Sequence, residues 1–206
     1  NGVMLDDNKC ISGKYIISAC DARQTFFELI GERSLDKEFV NKLKALVPSY
    51  SSFLVYLGMK SSFKCFDELK TNLWVIESNE IKDICSKMLK CENIHLAITS
   101  PSMKDVAVRN KQSICLTTTV PFIDAEYWKE ERCKELEDRL IGLATRAFPE
   151  LENSIQLKFN ASPLTLYKWT SNYQGASYGW EGRSSQFGNP DISEKSGLEN
   201  GLIGLW

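Results

Sequence analysis

The sequence predicts an α+β fold: a mixed, largely antiparallel β-sheet flanked by helices. Three observations predict it. Short apolar runs with strand character outnumber helical segments, at seven or eight against five. Several follow one another with no helix between them, so the strict alternation that builds a parallel sheet is missing. The helical segments carry an apolar stripe on one side only, as helices lying on a sheet do.

The elements follow in order. "GVMLDDNKCISGKYIISA" reads as two short strands around a polar turn at Asp6–Asn8, then a third strand from Lys14 to Ser18, apolar enough to be buried on both faces. "DARQTFFELIG" reads as a short helix with Asp21 as its cap and Gly31 as its stop. Ser34 is placed to cap a helix over 35–47, in which Phe39, Leu43 and Leu46 share a face and which Pro48 ends. "SFLVYLGM" and "NLWVIE" are strands separated by a polar connection over 60–71. "EIKDICSKMLK" is a short amphipathic helix lined by Ile81, Ile84, Cys85 and Met88.

"IHLAITS" and "SICLTTTV" are strands joined by the charged connection "PSMKDVAVRNKQ". The clearest helix runs over 125–147, with Leu136, Leu140, Leu143, Ala144 and Ala147 as its stripe and Pro149 closing it. "SIQLKFNAS" is a strand, and Pro163, suited to a first helical turn, opens a helix to Thr170. From 171 to 201 the chain is rich in Gly, Ser and Asn, and a loop of that length inside a compact domain is often functional.

Composition narrows the function. The 206 residues carry a net charge of -2 with the basic residues scattered, which leaves no electrostatic footprint for nucleic acid. The seven cysteines form no CxxC pair and the chain has a single His, so a zinc site is not expected. Reduced thiols serving as small apolar side chains suit a cytoplasmic protein. No apolar stretch approaches the ~18 residues of a membrane-spanning helix. The first residues, "NGVML", and the last, "GLIGLW", have strand character, which suggests a segment of a longer protein.

The stretch "SPLTLYKWTSNYQGASYGW" (162–180) holds five aromatic residues, two glycines and no His, Cys or carboxylate. Together with "KYIISACDARQTFFELIG", "SSFLVYLGM", "ITSPSMKDVAV" and the closing "NGLIGLW", it resembles, in order and spacing, the flavin-dependent phytoene desaturase and carotenoid isomerase family. That family includes retinol saturases and belongs to the amine-oxidase superfamily. Two features depart from the family pattern. No GxGxxG occurs, the motif whose glycines admit a dinucleotide pyrophosphate to a helix N-terminus. "VAVRNKQS" stands where relatives carry a Pro/Gly-rich turn.

The resemblance implies a substrate-binding domain over residues 32–180. A fringe of the FAD-binding domain would occupy 1–31, and 181–206 would return to it. It implies FAD in the intact protein, hydride transfer between FAD and a hydrophobic polyene or isoprenoid, and little activity in this segment alone. Peripheral contact with a membrane follows from such a substrate. The alternatives are an amine-oxidase-like flavoenzyme acting on an amine, or a non-catalytic lipid-binding module.

No catalytic acid or base is assigned, because the flavin carries the chemistry and the protein orients the substrate and excludes water. The resemblance places Ala19, Cys20, Asp21, Gly204 and Trp206 near the cofactor, with Asp21 equally suited to capping the next helix. Tyr173, Tyr178, Gly179 and Trp180 are the expected substrate residues. His95, inside an apolar strand pattern, reads as a hydrogen-bonded histidine and not as a base. Asp105 reads as a turn cap. Glu130 and Glu131 point about 100° apart on a helix and read as solvated surface.

Overall fold

The computed structural model describes residues 2–63, 68–76, 80, 82, 91, 95–101, 112–183 and 186. The chain divides into two compact units, Asn1–Ala45 with Pro190–Trp206, and Leu46–Asn189. The boundary expected at residue 31 falls inside the first of them.

In the first unit, β1 (Gly2–Met4) pairs antiparallel with β2 (Cys10–Ser12), and Met4 faces Cys10. The turn between them contains the expected Asp6–Asn8. Asn8 takes φ 64°, a left-handed conformation that asparagine tolerates, and its N–H donates to Leu5 O at 2.9 Å. The third strand, Lys14 to Ser18, does not form among the described residues. Its apolar side chains stand in water, with Ile17 91% exposed. The pattern has strand character, but no described neighbour supplies the ladder its backbone groups need.

The helix expected after Asp21 forms, with Gln24–Gly31 wound as a π-helix. Asp21 caps it: Oδ1 accepts from Arg23 N at 2.8 Å and Gln24 N at 3.3 Å. The next helix, α1, spans Lys37–Ala45, shorter than the expected 35–47. Its cap is Asp36 and not Ser34. The Asp36 carboxylate accepts from Glu38 N at 2.8 Å and Phe39 N at 3.1 Å, a stronger anchor at a helix start than a hydroxyl. Phe26 meets Phe39 edge-on at 4.9 Å and closes this small core.

The second unit is a five-stranded sheet in which every described ladder is antiparallel. Its strands are β3 (Ser51–Met59), β4 (Leu73–Val75), β5 (Leu96–Thr99), β6 (Ser113–Val120) and β7 (Ile155–Ala161), in the order β4-β5-β6-β3-β7. Along β3 burial alternates with the pleat: Phe53, Val55, Leu57 and Met59 face inward. Ile114, Leu116 and Val120 join them from β6, and Leu96 and Ile98 from β5.

The long helix α2 (Glu130–Ala147) brings Leu136, Leu140, Leu143 and Ala144 to this core. It begins five residues later than the pattern suggested. Asp124 Oδ1 accepts from Tyr127 N at 2.7 Å and the Trp128 indole donates to Phe122 O, so 122–128 is held as a turn. Trp128 stacks on Phe53 at 6.0 Å. Helix α3 spans Pro163–Thr170 as expected, with a capping box between Ser162 and Thr165.

The helix expected around Ile81–Met88 and most of the 101–112 connection, Asp105 included, lie outside the described residues. The described part of the long loop is ordered against β3. Ser177 N donates to Tyr50 O, Ser49 N to Gly179 O and Glu181 N to Val47 O, so 177–181 runs as a strap beside 47–50. Pro48 and Trp180 form its bridge.

Candidate functional site

Ala19 and Cys20 are exposed, and the Asp21 carboxylate is occupied by the helix it caps. Gly204 and Trp206 lie outside the described residues. Tyr178, Gly179 and Trp180 sit together on the strap, which fixes their backbone. The Tyr178 side chain is 86% exposed, and its N–H donates to Ser49 Oγ at 2.9 Å. Gly179 takes φ 71° and turns the strap. Tyr173 opens the single turn Tyr173–Gly175 just before it. These four lie along one ribbon, with Tyr178 and Gly179 exposed and Tyr173 and Trp180 half-buried.

A larger apolar surface lies on the sheet. The helices of the second unit pack on one face of it, and the opposite face carries two cross-strand rows fixed by register. One row runs Trp74, Ala97, Thr117, Leu54, Ala161; the next runs Thr99, Cys115, Tyr56, Phe159. At ~4.8 Å per strand the first row spans about 19 Å. Its floor is small and flat, Trp74 stands at one end, and at the other Phe159 of the second row lies two residues along β7 from Ala161. Trp74 stacks on His95 with 6.2 Å between ring centroids and 16° between planes. Tyr56 stacks on Phe159 at 5.0 Å and 21°. Trp74 is 58% and Phe159 55% exposed, so the rings at the two sides of this face are turned to solvent, while Ala97, Cys115 and Ala161 between and beside them are buried.

The described residues of the face carry no charge at neutral pH. Burial pushes the His95 imidazole below its ordinary value, and the Cys115 thiol and the Tyr56 phenol above theirs. His95 Nε2 sits 3.2 Å from Thr119 Oγ1, a hydrogen-bonded histidine as its strand setting suggests. Among the described residues, no group of three or more His, Cys, Asp and Glu side chains is placed to hold a metal ion. The five described cysteines are free thiols, three of them buried.

A cleft of about 500 Å³ opens on the helix side, where α2 leaves the edge strand β7 partly uncovered; Cys133, Glu137, Lys158, Asn160 and Ser162 line it. Glu137 is 6% exposed, yet both its oxygens are satisfied, by Lys158 Nζ at 2.8 Å and Asn160 Nδ2 at 2.8 Å. The bond to Glu137 raises the Lys158 pKa, and burial raises that of the Cys133 thiol, so neither is primed as a nucleophile. This cluster ties α2 to β7 and is chemically quiet.

The open face went unforeseen because the strands were read for their apolar runs. The signal was the alternation within them: Ser52, Leu54, Tyr56 in β3 and Cys115, Thr117, Thr119 in β6 mark a second face with its own character. Compared with known proteins, the chain matches no family model and no curated protein.

Proposed function

We propose that the chain is the substrate-binding portion of an FAD-dependent oxidoreductase of the phytoene desaturase type. That class moves hydride between FAD and an apolar polyene or isoprenoid. The observation that carries the reading is the open sheet face: flat, aromatic at both ends, and uncharged. A polyene offers extended apolar surface and few polar handles, and such a face positions it by burial, at ~25 cal/mol per Å². The motif order along the chain supports the same class.

The flavin, when bound, accepts or supplies the hydride. The described residues do not fit its pyrophosphate. Asp21 is committed to its helix, and neither Ala19 nor Cys20 is set in a glycine-lined turn. The chain's own part is therefore orientation of the substrate and exclusion of water. An amine substrate suits the face less well, since none of its titratable groups offers the negative charge an ammonium would seek.

The test is made on the full-length product. It is expected to be yellow, with a flavin absorption band, and anaerobic mixing with a long-chain polyene is expected to change that band. A change with amines but not with polyenes would replace the substrate class. A colourless protein that still binds polyenes would make it a lipid-binding module.

A further inference from the structure

His95 sits between two neighbours from other strands. Thr119 on β6 has its Oγ1 3.2 Å from Nε2, and the Trp74 indole on β4 stacks on the imidazole. The second ring nitrogen, Nδ1, is shielded from solvent and has no hydrogen-bond partner among the described residues. Buried polar groups are almost always paired, and one that is not calls for an explanation. A neutral ring that donates through Nε2 holds only a lone pair at Nδ1, whereas a protonated ring carries an N–H at both nitrogens. The described seat offers one acceptor. Trp74 is more than half exposed on the last strand of the sheet, so its indole has solvent to turn into.

We propose that His95 and Trp74 form an acid-operated switch at the β4 end of the open face: protonation drives the imidazole out of its seat, and the indole stacked on it turns away with it. Once the ring has swung out, the imidazolium finds its second acceptor in water. Staying in place would leave a charged N–H buried without an acceptor, which costs more than an exposed indole returns by attracting the cation. Burial alone holds the pKa of the ring below its ordinary value, the same preference for the neutral state. Among the described residues no charged side chain faces the ring from the strands around it. On this face β4 brings Trp74, β5 itself Ala97 and Thr99, and β6 Thr117 and Thr119, with the Cys115 thiol further along and the Tyr56 phenol beyond it on β3. Burial raises the pKa of that thiol and that phenol, so both stay neutral while the ring titrates. The switch belongs to the face itself and does not depend on a bound flavin.

The experiment follows both rings by NMR in the full-length protein labelled with fluorotryptophan, between about pH 8 and about pH 5. Trp74→Phe assigns the Trp74 fluorine signal and His95→Phe the histidine proton signals, each by its disappearance. The Trp74 signal is expected to shift with a single midpoint, below pH 6.5 and equal to that of the His95 ring, while the signal of buried Trp128 stays in place. Cross-relaxation between the two rings is expected to be lost below that midpoint. His95→Phe keeps an aromatic ring beside the indole and cannot titrate, so its Trp74 signal is expected not to move. Thr119→Val removes the bond that holds the neutral ring in its seat and is expected to raise the midpoint toward 6.5. A lower midpoint in that variant would mean that the charged ring stays seated, and it overturns the switch. So does a Trp74 signal that stays still while His95 titrates, or one that still moves in His95→Phe. A Trp128 signal that moves together with that of Trp74 overturns it as well, because the whole sheet would then be unfolding.

Discussion

His95 is the chain's only histidine, so its ring protons give an isolated signal in a proton NMR spectrum. Burial holds its pKa below the ordinary 6.5 in the folded protein. The folded state therefore favours the neutral ring, and this contribution to stability is present above pH 6.5 and lost as pH falls through the lowered value. A titration followed on that signal is expected to give a midpoint below 6.5. A midpoint at or above 6.5 would show that burial does not govern the ring. The same residue shows how far reading residues in isolation goes. Its setting in a strand foretold a hydrogen-bonded histidine. Its partner Thr119 and its stacking on Trp74 come from strands far apart in the chain, and no local pattern encodes them.

At the scale of elements, the strap beside β3 depends on two glycines of unequal importance. Gly175 takes φ 62°, and a Cβ there would collide with Pro163 O. Gly179 takes φ 71° with nothing near the place of a Cβ. Gly179→Ala should cost about 1–2 kcal/mol, the left-handed penalty alone. Gly175→Ala should cost more, since the backbone carbonyl must also move. Urea unfolding of the two variants checks the order, and equal losses would show that the strap is not anchored at Gly175.

Elements whose signal is local were legible in the sequence. The first-turn proline of α3, the stripe of α2 up to Ala144 and the strand β3 appear where the pattern puts them, while Ala147, expected in that stripe, is exposed. What failed depended on tertiary context. Lys14–Ser18 lacks a described partner strand, α1 is capped two residues further on by Asp36, and the start of α2 is displaced by the turn that Asp124 and Trp128 hold. The candidate site was less legible than the fold. Aromatic density pointed to Tyr173, Tyr178 and Trp180, which lie on a ribbon, whereas Trp74, Tyr56 and Phe159 come onto one face only once register aligns five strands.

On the scale of the whole molecule, the second unit is an antiparallel sheet covered by helices on one face. Antiparallel sheets tolerate one face turned to water, and such faces are usually polar. This one sets exposed rings among threonines, and the rings are the physical reason to expect a flat, greasy occupant. Among the described residues no helix is long and apolar enough to cross a membrane.

The pairing of Lys158 with Glu137 has one more consequence. Strand β7 is the last in the sheet, and among the described residues its outer backbone groups meet no other strand. An inward-turned lysine is a common guard on such a rim, because a second chain zipping onto it would have to bury the ammonium away from its counter-ion. Lys158→Val removes the guard and strands the Glu137 carboxylate. The variant is expected to form concentration-dependent oligomers, visible by light scattering, where wild type stays dispersed. Scattering that does not change would show that the rim is protected by other means.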